Sequence, residues 1–440
     1  MKSNAAEHMN PPNVPSNRAK QMPPPPRSKL NIPKAEAAND GATDYLDEAD
    51  VRLLDEDGDG QESGVTTIEQ GPVSTRDNVY NIEKTKNEIE ATEITGYTDA
   101  RVYLGMKNKV TIDPDTKQRT INPSEDFVLS SPSYGLTGVE DGVGSSGEEG
   151  TEVNGLNAAA QASRILSATI ADQFGEVLDS MGSSETMRAL KGVKVLDIPS
   201  KINAPQNELH HKNTVDAIRT MEQVAASNPK LAKKAAALVK TLEIAQSEVR
   251  KTHGQTTACI AIQEGKQMAI ANVGDSVAFI QRKDGTFVQI TREDNLLNHC
   301  LDHNILTTED LDQMRANPKE KRTIEIEFKG RTIKMPVNYK ILTNHVLKGF
   351  GAEDEDATPT LTFVDVEPGD RVLLVTDGIG DKYRNPDGSI DTARLTRYIG
   401  RSNEASATEQ IEHTINVAGI EQTAGKAGDD DKTIAVIDIK

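Results

Sequence analysis

Three short acidic motifs, each at the end of a stretch that predicts a buried strand, constrain this chain more than any other feature of its sequence. They are GVEDG at residues 138–142, TDG at 376–378 and DDDKT at 429–433. A buried carboxylate without a partner is strongly destabilised, so each motif needs a compensating cation. No Lys or Arg accompanies the three motifs at a fixed spacing. Hard divalent metal ions, bound through oxygen, are therefore the expected partners.

Composition separates a tail from a folded part. Hydrophobic residues make up only 35% of the 440 residues, and the deficit is concentrated in the first hundred. Residues 1–34 are basic and rich in Pro, whereas residues 35–70 are acidic, and neither composition can bury a core. We expect residues 1–97 to be a disordered tail and residues 98–440 to form one domain.

Two features of the tail could bind a partner. The run PPPPR at residues 23–27 could dock as a polyproline II helix, although a solvated linker is the favoured interpretation. Asp55, Asp57, Asp59 and Gly60 match the opening of an EF-hand calcium loop. Thr66 stands where that loop needs a bidentate Glu, which favours a plain acidic linker over calcium binding.

Charge and cysteine content exclude several classes of protein. The formal net charge is -19, with 69 acidic and 50 basic residues, which argues against a nucleic-acid-binding protein. Cys259 and Cys300 have no CxxC spacing, so we expect buried free thiols rather than a disulfide or a thiolate zinc site.

No apolar run is long enough for a membrane span and no signal sequence is apparent. We expect a soluble, monomeric, cytoplasmic protein without a membrane partner.

The order of predicted elements indicates the fold class. Apolar periodicity predicts helices over residues 157–181 and 213–250, the second capped by Asn213 and interrupted at Pro229. Residues 182–212 between them are predicted to be irregular, and another helix is expected near 404–418. Strand signals lie at 101–104, 109–112, 257–262, 268–273, 277–280, 287–290, 361–366, 372–375 and 434–439. Because strands and helices do not alternate regularly, the prediction is an α+β sandwich with antiparallel sheets.

The motifs resemble those of the type-2C, metal-dependent Ser/Thr protein phosphatases. The matching elements occur in the order of that family: Glu125-Asp126, GVEDG at 138–142, GQT at 254–256, ANVGDS at 271–276, TDG at 376–378 and DDKT at 430–433. The resemblance spans residues 98–440. It implies a four-layer α/β/β/α sandwich, two antiparallel sheets flanked by helices, with two Mn²⁺ or Mg²⁺ ions at one end.

The resemblance also implies a set of metal ligands. The positions carried over are acids and one glycine carbonyl: Glu125, Asp126, Asp141, Gly142, Asp275, Asp377 and Asp430. Asp141 would bridge the two ions, and Asp377 with Asp430 would hold one of them. Glu125 would approach the second ion through a water. Asp275 matches the position that supports a third ion in bacterial relatives.

The physics of such a site predicts the reaction. Two divalent ions about 4 Å apart need a shared anionic ligand, and together they lower the pKa of a bridging water and orient it toward phosphorus. No protein nucleophile is needed. The resemblance adds the substrate, and together they predict metal-dependent hydrolysis of phosphoserine and phosphothreonine in phosphoproteins. The alternative is a pseudophosphatase or docking protein with the same fold, but no metal-binding acid is lost, which favours the enzyme.

Two departures from the family pattern bear on catalysis. Val143 follows the bridging Asp-Gly where many eukaryotic members have a His that protonates the leaving group, and bacterial members often lack that His too. The chain therefore resembles the prokaryotic members more. The phosphate-binding Arg of the family falls at Ile121, but Arg119 fits if Pro123 and Ser124 are an insertion. A surface salt bridge is an equally good interpretation of Arg119.

Residues 291–345 correspond to the mobile flap of the family and should influence substrate choice. They contain a cluster of acids and histidines: Glu293, Asp294, His299, Asp302 and His303. Such residues can bind zinc, although a solvated helix face is the favoured interpretation.

Overall fold

Two β-sheets organise the structure, a computed structural model. The residues that it describes are 65–68, 79–80, 90–94, 100–107, 110–112, 116, 119–121, 123–144, 156–197, 210–317, 319–328, 331–352, 357–380, 406–407, 409–411, 414–415 and 430–440. All of them belong to the unit Gly58–Lys440. The Pro run and the EF-hand-like segment of the sequence lie outside the described residues.

The first sheet has seven strands among the described residues. In spatial order they are β1 (Val65–Ile68), β3 (Glu90–Ile94), β4 (Ala100–Lys107), β19 (Lys432–Ile439), β18 (Arg371–Val375), β13 (Val277–Gln281) and β14 (Phe287–Gln289). All neighbours pair antiparallel except β1 with β3.

The second sheet has eight strands within the same described part of the chain. Their order is β10 (His210–His211), β9 (Lys194–Asp197), β17 (Thr360–Asp365), β12 (Gln267–Val273), β11 (Ala258–Glu264), β8 (Leu136–Glu140), β7 (Phe127–Ser131) and β2 (Val79–Tyr80). In this sheet, β17 and β9 form the one parallel pair among the described residues, and the other neighbours pair antiparallel. Two hairpins stand apart, β5 (Val110–Ile112) with β6 (Arg119–Ile121) and β15 (Arg322–Phe328) with β16 (Arg331–Val337).

The central strands are buried on both faces, as β19 shows. Ala435 and Ile437 pack between the two sheets, whereas Ile434 and Val436 pack on the opposite face. Since side chains alternate between faces along a strand, burial on both sides produces a continuous apolar run rather than an alternating one. This explains why the central strands were readily predicted from sequence.

Helices cover the outer face of each sheet. The second sheet is covered by α1 (Ala158–Ser180), α2 (Ser183–Leu190), α3 (Thr214–Ser227) and α4 (Pro229–Val249). On the first sheet, helical residues Ala407, Ile411 and Ile415 join the apolar cluster of β13, β18 and β19. The four-layer α/β/β/α arrangement and the α+β class are confirmed. No helix in the described part of the chain is long and apolar enough to span a membrane.

The helix predicted over residues 213–250 is two helices. Asn213 caps α3 by accepting a hydrogen bond from Asp216 N at 3.0 Å, and Asn228 caps α4 by accepting one from Leu231 N at 3.1 Å. Pro229 is the first residue of α4, where its missing N–H costs nothing. The predicted break at Pro229 is thus confirmed.

The prediction that residues 182–212 are irregular is wrong. This segment contains α2, β9 and β10, and Leu190, Val193 and Val195 are buried in the core under the helices. The elements are too short to produce a recognisable period, so their structure depends on this packing rather than on local sequence.

The sheets also begin before the predicted domain boundary at residue 98. The strands β1, β2 and β3 precede it, and β3 pairs with β4 from Glu90↔Met106 to Ile94↔Val102. Such short strands are stabilised mainly by a neighbouring strand already in place. Their short or polar sequences do not produce a recognisable strand pattern. The division into tail and phosphatase domain stays a prediction for the residues outside the described ranges.

The segment that corresponds to the family's flap has an apolar core of its own. It consists of α5 (Leu296–Asp302), α6 (Thr308–Ala316), the β15–β16 hairpin and α7 (Tyr339–Asn344), which bury Leu296, Cys300, Leu311, Ile324, Ile326, Val337 and Leu342 together. The alternating apolar residues of the hairpin, such as Ile324, Ile326 and Ile333, are typical of paired strands. Cys259 and Cys300 are both buried and free, as expected.

A glutamate lies in the core between the second sheet and α1. Glu140 of β8 is fully buried, and its carboxyl group lies beside Ser167 of α1. Burial raises the pKa of Glu140 from 4.5 to about 8, which the Ser167 hydroxyl opposes only in part. Glu140 is therefore protonated in the metal-free folded chain at neutral pH.

We expect the free energy of unfolding of the metal-free protein to decrease as pH rises from 5 to 8. The unfolded chain releases the Glu140 proton near the ordinary pKa of a glutamate, whereas the folded chain retains it until about pH 8. Glu140→Gln, which mimics the protonated form, should gain about 3 kcal/mol relative to wild type over this range. Urea unfolding in EDTA measures the difference. Glu222→Gln, at an exposed position on α3, is the control, and parallel pH profiles for wild type and Glu140→Gln would contradict the prediction.

Candidate metal centre

Three aspartates from distant parts of the sequence meet at one end of the sandwich. Asp141 follows β8, Asp275 lies between β12 and β13, and Asp377 follows β18. One carboxylate oxygen from each lies within 4.8 Å of the other two. Among the described residues, no other cluster of His, Cys, Asp or Glu has this geometry. The sequence assigned all three residues to the metal site, and the structure brings them together.

The topology explains this convergence. The strands β8 and β12 both pair antiparallel with β11, so their carboxyl ends lie at the same edge of the second sheet. In the first sheet, β18 pairs antiparallel with β13 and β19, so its carboxyl end lies beside the amino ends of both. Strand direction thus places the acidic motifs at one end of each sheet, and the packing of the two sheets brings these ends together.

The electrostatics of the cluster favour a cation. Burial raises the pKa of Asp141, and the neighbouring carboxylates Asp377, Asp126 and Asp275 raise it further. Burial also raises the pKa of Asp126, with Asp431 and Asp430 adding to the effect and a hydrogen bond with Thr433 opposing it. Without a cation these acids would be partly protonated. Their oxygen donors suit Mn²⁺ or Mg²⁺, which bind carboxylates and carbonyls.

Asp126 is anchored by the residue that precedes Asp377. The Thr376 hydroxyl donates a hydrogen bond to Asp126 Oδ2 at 2.9 Å, and its oxygen accepts one from Thr433 N at 3.0 Å. Thr376 thereby ties β18, β19 and the segment before β7 together. These two hydrogen bonds give the Thr of the Thr-Asp-Gly motif a structural role beside Asp377.

The backbone N–H and the backbone carbonyl of Glu125 are both hydrogen-bonded to other segments. Its N–H donates to Asp431 Oδ2 at 2.7 Å, and its carbonyl accepts from Gly142 N at 3.1 Å and from the Ser163 hydroxyl at 2.6 Å. The Glu-Asp pair is therefore linked to the GVEDG motif, to the terminal acidic motif and to α1.

The GQT motif supports Asp141. Asp141 O accepts hydrogen bonds from the Thr256 hydroxyl at 2.9 Å and from Thr257 N at 2.8 Å. Val143 N donates to Gln255 O at 2.9 Å. The backbone on both sides of Gly142 is thus fixed by β11 and the residues before it.

The glycines of these motifs allow close backbone approach. A Cβ atom on Gly142 would lie 2.6 Å from Glu125 O, one on Gly254 would lie 1.9 Å from Ala158 O, and one on Gly378 would lie 1.8 Å from Asp431 O. These separations are far below van der Waals contact. Any side chain at these positions would push apart the segments that carry the acids.

The terminal motif contributes two acids in different ways. Asp431 is buried, and its carboxylate already accepts the Glu125 N–H. Asp430 is partly exposed, its Oδ1 accepts from Asp431 N at 3.0 Å and its carbonyl accepts from the buried Lys432 ammonium at 2.8 Å. Asp430 is outside the three-aspartate cluster, so its assignment as a ligand stays a prediction.

The remaining residues that were considered as site candidates either lie partly outside the described residues or are not part of the three-aspartate cluster. Arg119 lies on β6, but its side chain is outside the described part of the structure, as is Asp429. His299 and His303 stack on each other with ring centroids 4.1 Å apart, and His303 is exposed. Asp302 pairs with the buried Arg292 at 2.6 Å. Two residues with no predicted role, Thr376 and Asp431, act through contacts with distant segments.

Three solved structures illustrate what the fold is similar to. The serine/threonine phosphatase PstP/Ppp of Mycobacterium tuberculosis is 18% identical, with a TM-score of 0.41 and coverage of 78% of this chain and 99% of that one. MsPP, a Ser-Thr phosphatase from Mycobacterium smegmatis, is 14% identical, with a TM-score of 0.41 and coverage of 77% and 98%. Stp1 from Staphylococcus aureus is 15% identical, with a TM-score of 0.40 and coverage of 78% and 96%. No curated protein matches the chain in sequence.

The family of this chain is identified by comparing its sequence with the patterns of known families. The protein phosphatase 2C pattern matches residues 122–416, more than half of the chain, and includes the Glu-Asp pair and all three converging aspartates. The chain belongs to the protein phosphatase 2C family.

Proposed function

We propose that this protein hydrolyses phosphoserine and phosphothreonine in phosphoproteins with two bound Mn²⁺ or Mg²⁺ ions. The observation that supports this most directly is the convergence of Asp141, Asp275 and Asp377 within 4.8 Å. Like charges this close in a partly buried site are unstable without a compensating cation. Membership of the protein phosphatase 2C family supports the same reaction.

The residues around the cluster fit such ions. Asp141 is the proposed bridging ligand, with Gly142, Asp377 and Asp430 completing the set and Asp275 available for a third ion. When bound, the ions would activate a water for attack on phosphorus and neutralise charge on the phosphoryl group. The protein itself contributes rigidity, since Thr256 and Thr257 hold the Asp141 carbonyl.

Substrate contacts outside the metal ligands follow from the sequence. We propose that Arg119 binds the phosphoryl oxygens, because a guanidinium group can donate two parallel hydrogen bonds to them. Val143 cannot donate a proton to the leaving oxygen. Leaving groups that need little protonation, such as para-nitrophenolate, should therefore react more readily than the seryl or threonyl oxygen of a peptide.

Asp141→Ala and Asp377→Ala should each lower metal-dependent turnover roughly 100-fold or more, because a shared or direct anionic ligand of the ions is lost. Hydrolysis of para-nitrophenyl phosphate and of a phosphothreonine peptide, with and without Mn²⁺, measures this. The control is Asp179→Ala, an exposed position near the end of α1. If the Asp377→Ala rate equals that of wild type, the protein is a docking protein with this fold, not an enzyme.

Removal of residues 1–57 should leave turnover within a few-fold of the full chain. All the proposed metal ligands belong to the unit Gly58–Lys440, and the strands β1 to β3 remain. A truncation at residue 94, which also removes these strands, should lower the melting temperature because β4 and β7 lose paired neighbours. Equal melting temperatures for the two truncations would show that the three strands do not stabilise the sheets.

A further inference from the structure

Asn157 connects α1 to the candidate metal centre. Its Oδ1 accepts a hydrogen bond from Ala160 N at 2.8 Å, which caps the helix. Its Nδ2 donates to Glu125 Oε1 at 2.5 Å. The amide oxygen of Asn157 thus caps the helix, and the amide nitrogen of the same group contacts a proposed metal ligand.

The contact from Asn157 completes the restraint of Glu125. The backbone N–H and carbonyl of Glu125 are already held by Asp431, Gly142 and Ser163, but these bonds do not fix the rotamers of a long side chain. Asn157 fixes one carboxylate oxygen. The other, Oε2, lies over Gly144, where a Cβ would approach it to 2.5 Å.

An amide suits this position for a physical reason. It donates to the carboxylate through nitrogen while its oxygen accepts from the helix N-terminus, so neither group is left unsatisfied. Residues that orient the ligands of a metal typically change its affinity 10- to 100-fold when they are lost.

We infer that Asn157 is a positioning residue for the metal centre, acting through Glu125. The inference rests on the proposed function, since it requires that divalent ions bind beside Glu125. It assigns Asn157 no contact with substrate. It also makes the first turn of α1 part of the support of the metal centre, together with Ser163.

The capping and positioning tasks can be separated by substitution. Asn157→Ser keeps an oxygen that caps α1, since Ser is as good an N-cap as Asn, but it removes the amide donor. Asn228 provides a matched control, because it caps α4 through Oδ1 and donates through Nδ2 to the Glu264 carbonyl at 3.1 Å. Asn228→Ser therefore loses the same kind of bond at a site unconnected with the acids.

The experiment measures Mn²⁺ binding by calorimetry and thermal unfolding in EDTA for the full-length wild type, Asn157→Ser, Asn157→Ala and Asn228→Ser. We expect Asn157→Ser to bind Mn²⁺ roughly tenfold more weakly than wild type, with a melting temperature close to that of Asn228→Ser. Asn157→Ala should show the same weak binding and a lower melting temperature, since the cap is lost as well. The Mn²⁺ concentration for half-maximal hydrolysis of para-nitrophenyl phosphate should rise with the dissociation constant.

The outcomes separate the two proposals. If Asn157→Ser and Asn228→Ser bind Mn²⁺ equally well, Asn157 is a helix cap only and the inference is wrong, whatever the turnover. If wild type binds Mn²⁺ and hydrolyses no phosphoester, the proposed function fails while weaker binding by Asn157→Ser still supports the positioning role. If wild type does not bind Mn²⁺, both fail.

Discussion

Repulsion between buried carboxylates is the constraint on which the rest of this structure depends. At one end of the sandwich, Asp377, Asp126 and Asp275 add to the effect of burial in raising the pKa of Asp141, and Asp431 and Asp430 do the same for Asp126. A fold that places them there must be rigid enough to prevent the acids from moving apart. The two sheets supply that rigidity, because each acid follows or precedes a strand buried on both faces. The same repulsion makes a divalent cation the natural occupant of the site.

The segments that carry the acids are bound to one another rather than only to the core. Thr376 links Asp126 to β19, Thr256 holds the Asp141 carbonyl, and Glu125 bridges three motifs through its backbone. Several of these contacts require the backbones to approach so closely that only glycine fits, as at Gly254 and Gly378. Preorganisation of this kind would lower the reorganisation required by the proposed binding of ions and substrate.

The segment of residues 291–345 combines an apolar core of its own with contacts beside the candidate metal centre. At its base, Asp294 N donates to Gly274 O at 2.8 Å, directly beside Asp275. The Lys348 ammonium lies 3.7 Å from the Asp294 carboxylate, and the buried Arg292 pairs with Asp302. These contacts connect the base of the segment to the loop that carries Asp275.

The sequence by itself determined the α+β class, the central strands, the main helices and the acids Asp141, Asp275 and Asp377, because each has a local signal such as an apolar run, a cap or a short motif. Only the tertiary structure revealed the strands β1 to β3 and the elements of residues 182–212, which are too short or too polar to be stable without neighbours. The same holds for the roles of Thr376, Asp431 and Asn157. Asn157 could be recognised from sequence as a helix cap, but its bond to Glu125 joins residues 32 positions apart. Local sequence encodes strand and helix preference, whereas the partners of a hydrogen-bonding side chain depend on which distant segments the fold brings beside it.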